Sequence, residues 1–308
     1  MSTIVERMRT NLAKVIKGKP TEIDLLITAF LGGGNVLLND VPGTGKTTLA
    51  KAMAVTIAGV FHRIQFTPDL LPADVTGGSI YNAKEGTFDF REGPVFTNVL
   101  LADEINRASP RTQSSLLEAM AEGQVSIEGE TRALPRPFWV IATQNPVEFH
   151  GTYPLPEAQL DRFAMQLSMG YPPREHEVSI LQSLGGPPAL DSLEPITTLE
   201  EAREAQEQTQ RLHVDEDICR YIVSLVEATR VEPQLQLGVS PRGGIALYRM
   251  AQGYAAVNGR DRVLPDDVKA VAISSLAHRL VLETKAKYSG VTKAEVVQRL
   301  LESVEVPV

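Results

Sequence analysis

The sequence predicts an α/β fold built on a parallel sheet and followed by a smaller, all-helical unit. Three observations carry this expectation. Short apolar runs ending in polar or acidic residues recur at Val36-Leu37-Leu38, at Val99–Glu104 and at 137–146, as buried parallel strands require. Patterns of helical period lie between them. Past Pro172-Pro173 no convincing strand remains, only amphipathic helical patterns. The expected division is therefore an α/β unit over residues 1–170 and a helical unit over 174–308.

With 308 residues the chain is long enough for two packed units. An apolar content of 43% with 22% charged residues is that of an ordinary globular protein. The net charge of −8 argues against a general attraction to nucleic acid or anionic membrane. One cysteine, Cys219, rules out an internal disulfide framework or a cysteine-based zinc cluster, and a reducing cytoplasm is the expected compartment. Neither a signal sequence nor a stretch long enough to span a membrane is expected. Histidines 62, 150, 176, 213 and 278 show no ligand spacing.

Taken in order, residues 3–31 read as two helices broken at Lys17-Gly18-Lys19-Pro20, with Ile4, Met8 and Leu12 on the apolar face of the first. Val15, Ile16 and Gly18 at the break have two readings: plain helix packing, or an apolar slot for the base of a nucleotide. The strand at 36–38 then runs into Pro42-Gly43-Thr44-Gly45, a turn that lets bare backbone N–H groups converge. Lys46, Thr47 and Thr48 follow, and a helical pattern continues until Gly59 can cap it. Strand, glycine loop, Gly-Lys-Thr and helix together make a phosphate-binding P-loop, in which Lys46 reaches the β/γ-phosphates and the Thr47 hydroxyl ligates Mg²⁺. The motif asks for glycine at position 40, where this chain has Asp40. Such an acid is tolerated near a triphosphate only if it points away or makes a local turn bond.

Phe61–Phe66 is the next strand, and 77–92 reads as a surface β-hairpin. Val99–Glu104 ends in two acids. Either these are ordinary solvated strand-end residues, or Asp103 holds magnesium and Glu104 polarises an attacking water. Ser109-Pro110 starts a helix that Gly123 ends, and a second hairpin fits 124–135. The strand at 137–146 leads to Asn145, a turn starter by itself or an amide beside the γ-phosphate. EAQLDRF, 157–163, is a short helix carrying Arg162. Beyond the prolines, helices are expected over 174–184, after Thr198 with Glu201 completing a capping box, after Asp215, after Ser240-Pro241, after Pro265, and after Thr292 with Glu295.

This order of features resembles the AAA+ ATPases over nearly the whole chain. Within them, DVPGTGKTTLAKA, GPVF, ADEINRA, LLEAMAEGQV, ATQNP and YPLPEAQLDRF are together very similar to the MoxR family. The two hairpins resemble the helix-2 and pre-sensor-1 insertions of that branch, and the helical unit its lid domain. By resemblance, Gly43, Gly45, Lys46 and Thr47 correspond to Walker A, Asp103 and Glu104 to Walker B, and Asn145 to sensor 1. Arg162 corresponds to an arginine finger, with Arg107 and Arg111 as alternatives, and Arg242 of SPR to sensor 2. The resemblance implies ATP and Mg²⁺, a hexameric ring with sites shared between subunits, a protein client to be remodelled or matured, and a von Willebrand factor A-domain adaptor.

Three other readings compete. A nucleic-acid motor fits poorly, because the hairpin at 124–135 sets Glu128 and Glu130 against Arg132. A kinase or GTPase fits poorly too, because Glu104 follows Asp103 directly and no Asn-Lys-x-Asp motif is present. The remaining alternative is a nucleotide-gated scaffold with little turnover.

Overall fold

The computed structural model describes residues 2–41, 43–145, 152–182 and 188–307. Helices α1 (Ser2–Val15) and α2 (Pro20–Leu31) open the chain. The buried face of α1 is Val5, Met8 and Leu12; Ile4 is only half-buried. Then come β1 (Val36–Asn39), α3 (Lys46–Thr56), β2 (Phe61–Gln65) and α4 (Pro72–Thr76), followed by the hairpin β3 (Gly77–Asn82) and β4 (Thr87–Glu92). The next elements are β5 (Val99–Asp103), α5 (Pro110–Glu122), the hairpin β6 (Gln124–Ile127) and β7 (Glu130–Ala133), β8 (Trp139–Gln144), α6 (Glu157–Leu160) and β9 (Met165–Leu167).

Five strands form one parallel sheet in the order β2-β5-β8-β1-β9. Alternation along each strand divides the core in two. Val36, Leu38, Val99, Leu101, Trp139 and Ile141 face α1, α2 and α3. Leu37, Leu100, Ala102, Val140 and Ala142 face the side covered by Leu116 and Leu117 of α5. Trp139 anchors the first side, its indole N–H donating to Gly34 O at 2.7 Å and its ring edge-on to Phe30. The two hairpins stand off the sheet and meet each other: Ser79 Oγ donates to Glu128 at 2.6 Å, and the Arg132 guanidinium lies 4.0 Å over the Phe90 ring.

The remainder is α7 (Arg174–Gln182), α8 (Leu199–Gln210), α9 (Glu216–Val231), α10 (Pro241–Val257), α11 (Pro265–Leu276), α12 (Thr284–Tyr288) and α13 (Lys293–Ser303). Both expected capping boxes form, Thr198 with Glu201 and Thr292 with Glu295. The apolar core of α9, α10, α11 and α13 is continuous with that of α1, α2 and the sheet.

Four local expectations are corrected. Strand β9 went unread because three residues carry no period; it is a strand only because Val36 and Met165 pair across the sheet. The region past 174 is not strand-free: β10 (Leu235–Leu237) and β11 (Val281–Leu282) form a small antiparallel ribbon, again a long-range pairing. Ala58, at φ 53°, takes the left-handed position after α3, ahead of Gly59. Asp215 occupies the N-cap of α9 without a side-chain cap bond, its carboxylate lying 2.9 Å from His213 Nε2 instead.

His278 and Arg279 follow α11 and pack on the segment before β9. The His278 ring meets Phe163 O at 3.1 Å and Arg279 Nη1 at 2.9 Å. Burial first, and the Arg279 charge second, push its pKa down to about 3. The unfolded chain, with a histidine near 6.5, takes up the proton first. Stability is therefore full above about pH 7 and is lost as pH falls from 6.5 toward 3. Denaturant titrations should show about 2 kcal/mol lost between pH 7 and pH 5, at about 1.4 kcal/mol per pH unit below 6.5. His278→Gln should flatten that slope.

Candidate functional site

Parallel pairing puts the loops that follow β1, β5 and β8 on one edge of the sheet. Ala102, Ala142 and Leu37 share one level, so Asp103, Thr143 and Leu38 share the next. This carboxyl edge is where open α/β sheets bind ligands. The glycine loop leaves it after Asn39 and turns into α3 through Gly43 and Gly45, at φ 84° and 82°. A Cβ at either glycine would meet nothing within 4 Å, so the demand for glycine here is conformational, not a matter of space. Thr44 Oγ1 donates to Val41 O at 3.3 Å. Lys46 Nζ donates to the carbonyls of Asp40 at 2.9 Å and Val41 at 3.3 Å, which folds the lysine along the loop. Thr47 lies in the first turn of α3, whose free N–H groups and dipole favour an anion.

A cleft of about 280 Å³ adjoins this loop. Gly43, Thr44, Gly45 and Thr48 line one side; Val15, Ile16, Lys17 and Lys19 line another; Met169, Gly170, Pro172 and Ile180 complete it. The end of α1 is therefore brought to the glycine loop. Gly18 is the exception among the residues read as a base slot. It takes a left-handed turn at φ 69° against the His176 ring and does not line the cleft. Asp40 points away from the loop, and its bonds are long-range, to residues 168–170, where a local turn bond was the alternative.

The acidic pair at the tip of β5 is held from three directions. Asp103 Oδ1 accepts from Thr143 Oγ1 at 2.7 Å, and its Oδ2 accepts from Arg63 Nη2 at 2.7 Å and Nε at 3.2 Å. Glu104 sits in the left-handed region at φ 57°, with its N–H donating to Thr143 Oγ1 at 2.8 Å. Its Oε2 accepts from Gln65 Nε2 at 2.8 Å and from Arg107 Nη1 at 2.9 Å. A non-glycine residue at positive φ is strained. Arg63 Nη2 also donates to Gln65 Oε1 at 2.7 Å, so the two carboxylates are joined through the Arg63–Gln65 pair. Asn145 is buried at the end of β8.

Lys46, Thr47, Asp103, Glu104, Asn145, Arg162 and Arg242 do not line the cleft; the first five lie on the same sheet edge or in the first turn of α3. Arg162 is half-buried, donating to Leu117 O at 2.8 Å. Arg242 is exposed in the first turn of α10, as is Arg111 in that of α5. Asp161 connects the two regions. It accepts from Arg279 Nε at 2.8 Å and from Ser240 Oγ, the N-cap of α10, at 2.8 Å. Arg279 is 2% exposed and also donates to the Asp161 and Phe163 carbonyls. Burial lowers its pKa, which the Asp161 charge opposes.

Sequence reasoning missed Arg63, Gln65, Thr143 and the 168–170 segment. Each acts through a partner 39 or more residues away in the chain. No local pattern could have singled them out.

Together, the parallel sheet, the glycine loop running into a helix, and the helical C-terminal part define a P-loop ATPase with a lid. The sequence model of the ATPase family associated with various cellular activities (AAA) matches residues 35–165, and that of the AAA lid domain matches 227–300. The chain belongs to the MoxR family of these ATPases. It is 40% identical to chaperone MoxR1 of Mycobacterium tuberculosis (98% of this chain, 82% of the relative) and 50% identical to the YeaC protein of Bacillus subtilis (97% and 93%). A crystal structure from Cytophaga hutchinsonii, assigned as an ATPase, superposes with a TM-score of 0.93 at 38% identity, covering 100% of this chain and 96% of that one.

Thr143 supports both acids through one hydroxyl. Thr143→Val should leave the Glu104 N–H without an acceptor and cost about 1–3 kcal/mol in denaturant melts.

Proposed function

We propose that this chain binds ATP with Mg²⁺, hydrolyses the β–γ phosphoanhydride bond, and uses the cycle to remodel or mature a client protein. The observation that carries this reading is the convergence of the glycine loop, the end of α1 and the Asp103–Glu104 pair on one edge of the sheet. In this reading Gly43 to Thr48 cradle the phosphates, Lys46 leaves the loop carbonyls for the β/γ-phosphates, and Val15 and Ile16 contact the base.

The donor set suits magnesium. A hydroxyl on Thr47 and a carboxylate on Asp103 are hard oxygen ligands. Magnesium characteristically takes one or two such protein ligands, with substrate phosphates and water completing its shell. The ion supplies charge neutralisation of the transferring group when bound. Glu104 polarises the attacking water once it is free of Gln65 and Arg107, and Asn145 positions that water.

Arg162 is held by Leu117 O and Arg242 is exposed in the first turn of α10; following the family resemblance, we assign both to a neighbouring subunit's nucleotide in a ring, taken as hexameric. Arg107 is engaged with Glu104, which favours Arg162 over it as the finger. The α/β unit, 1–170, and the lid, 174–308, move about residues 170–173 as nucleotide changes. A von Willebrand factor A-domain adaptor presents the client. The net charge of −8 and the acid-bearing β6–β7 hairpin favour a protein over a nucleic acid as that client. Among the described residues no helix is long and apolar enough to cross a membrane. We place the protein in the cytoplasm.

Lys46→Ala should abolish ATP binding in a fluorescent-nucleotide titration. Glu104→Gln should bind ATP and lose turnover; normal hydrolysis by this variant would refute the assignment of Glu104. Arg162→Ala should lose roughly 10³-fold or more in turnover, the scale of an arginine finger. Mixing inactive Arg162→Ala and Lys46→Ala subunits should restore activity, since each supplies what the other lacks. No recovery would place Arg162 in its own chain's site.

A further inference from the structure

Asp40 stands where a G-x-x-x-x-G-K-T loop has its first glycine. The residue is 4% exposed. Its carboxylate accepts three hydrogen bonds: from Ser168 Oγ at 2.8 Å and Gly170 N at 3.0 Å on Oδ1, and from Met169 N at 2.5 Å on Oδ2. Two successive backbone N–H groups thus close on one carboxylate, the anion-binding concavity of a nest. Its main chain is engaged as well. The carbonyl accepts from Lys46 Nζ, and the N–H donates to Gln144 O at 3.3 Å. One residue therefore ties together the glycine loop, the end of β8 and the chain that follows β9.

A carboxylate taken out of water is costly unless its lone pairs are met, and charge-assisted bonds are the ones that meet them well. Asp40 satisfies that condition only with residues 168–170 held in place. The restraint runs the other way too. Met169 and Gly170 line the cleft together with Val15, Ile16 and the glycine loop, and they lead through Pro172 into α7.

We infer that Asp40 is a positioning residue: it fixes the Met169-Gly170 wall at a set distance from the glycine loop, so that an acid in place of the loop's first glycine tightens nucleotide binding. This rests on the reading of the cleft as an ATP site. Restoring the glycine would strip Met169 N–H, Gly170 N–H and the Ser168 hydroxyl of their acceptor and free the wall. Asp40→Asn keeps one acceptor oxygen but turns an amide NH₂ toward donors, so its effect is intermediate.

The test is steady-state ATPase kinetics with amide hydrogen exchange on the full-length chain. Asp40→Gly, the nominal repair of the motif, should raise the KM for ATP about tenfold, the scale of one lost charge-assisted bond, with kcat within about twofold. The peptide containing Met169 and Gly170 should exchange faster while β1 and β8 do not. Ser168→Ala removes one donor and leaves the fold intact; it should raise KM about two- to threefold, and it serves alone if Asp40→Gly does not fold. An unchanged KM with unchanged exchange at 169–170, or a fall in kcat alone, would overturn the proposal. An ATP titration of the unmodified chain separates the two layers: if it binds no ATP, the nucleotide reading falls and this inference falls with it.

Discussion

Parallel pairing of β1, β5 and β8 is the constraint on which the rest of this structure depends. Parallel strands all point one way, so their carboxyl ends and the loops that follow must open on the same edge. In this chain that edge receives a glycine loop, a pair of acids and a buried asparagine from three separate stretches of sequence. The chemistry is assembled by strand register. A shift of one residue in β5 against β8 would separate Asp103 from Thr143 and turn every apolar side chain of the strand to the wrong face.

Single polar residues with several jobs then support the structure. Thr143 bonds both Asp103 and the Glu104 backbone. Asp40 holds a lysine with its carbonyl and a stretch of chain with its carboxylate. Asp161 receives both Arg279 and the cap of α10, so that the segment carrying Arg162 and the helix carrying Arg242 meet at one carboxylate. Buried or half-buried polar groups of this kind are worth keeping only when every partner is present. Asp161 therefore marks where the α/β part and the helical part must agree in position.

The division of labour between fold and site follows from this. Apolar alternation builds a sheet with two faces and a continuous core that includes the C-terminal helices. The polar contacts decide the aim of individual side chains. Glu104 illustrates the difference: the strand before it is ordinary, but its own backbone is left-handed and its carboxylate is taken by Gln65 and Arg107. Hydrophobic burial does not specify that orientation; hydrogen bonds across 39 residues do.

The sequence by itself determined the elements whose signals are local. The glycine loop between strand and helix, the capping boxes at Thr198 and Thr292, Ser109 and Ser240 with proline behind them, and both hairpins could be read because turn chemistry, caps and periodicity act within a few residues. Tertiary structure alone decided what depends on distant partners. It made Met165–Leu167 a strand, brought Val15 and Ile16 to the loop while leaving Gly18 against His176, and supplied Arg63, Gln65 and Thr143 to the acids. It also answered the question raised by Asp40. From sequence, an acid in the loop is only an irregularity; in the fold it accepts three bonds from 168–170, contacts that chain proximity cannot encode.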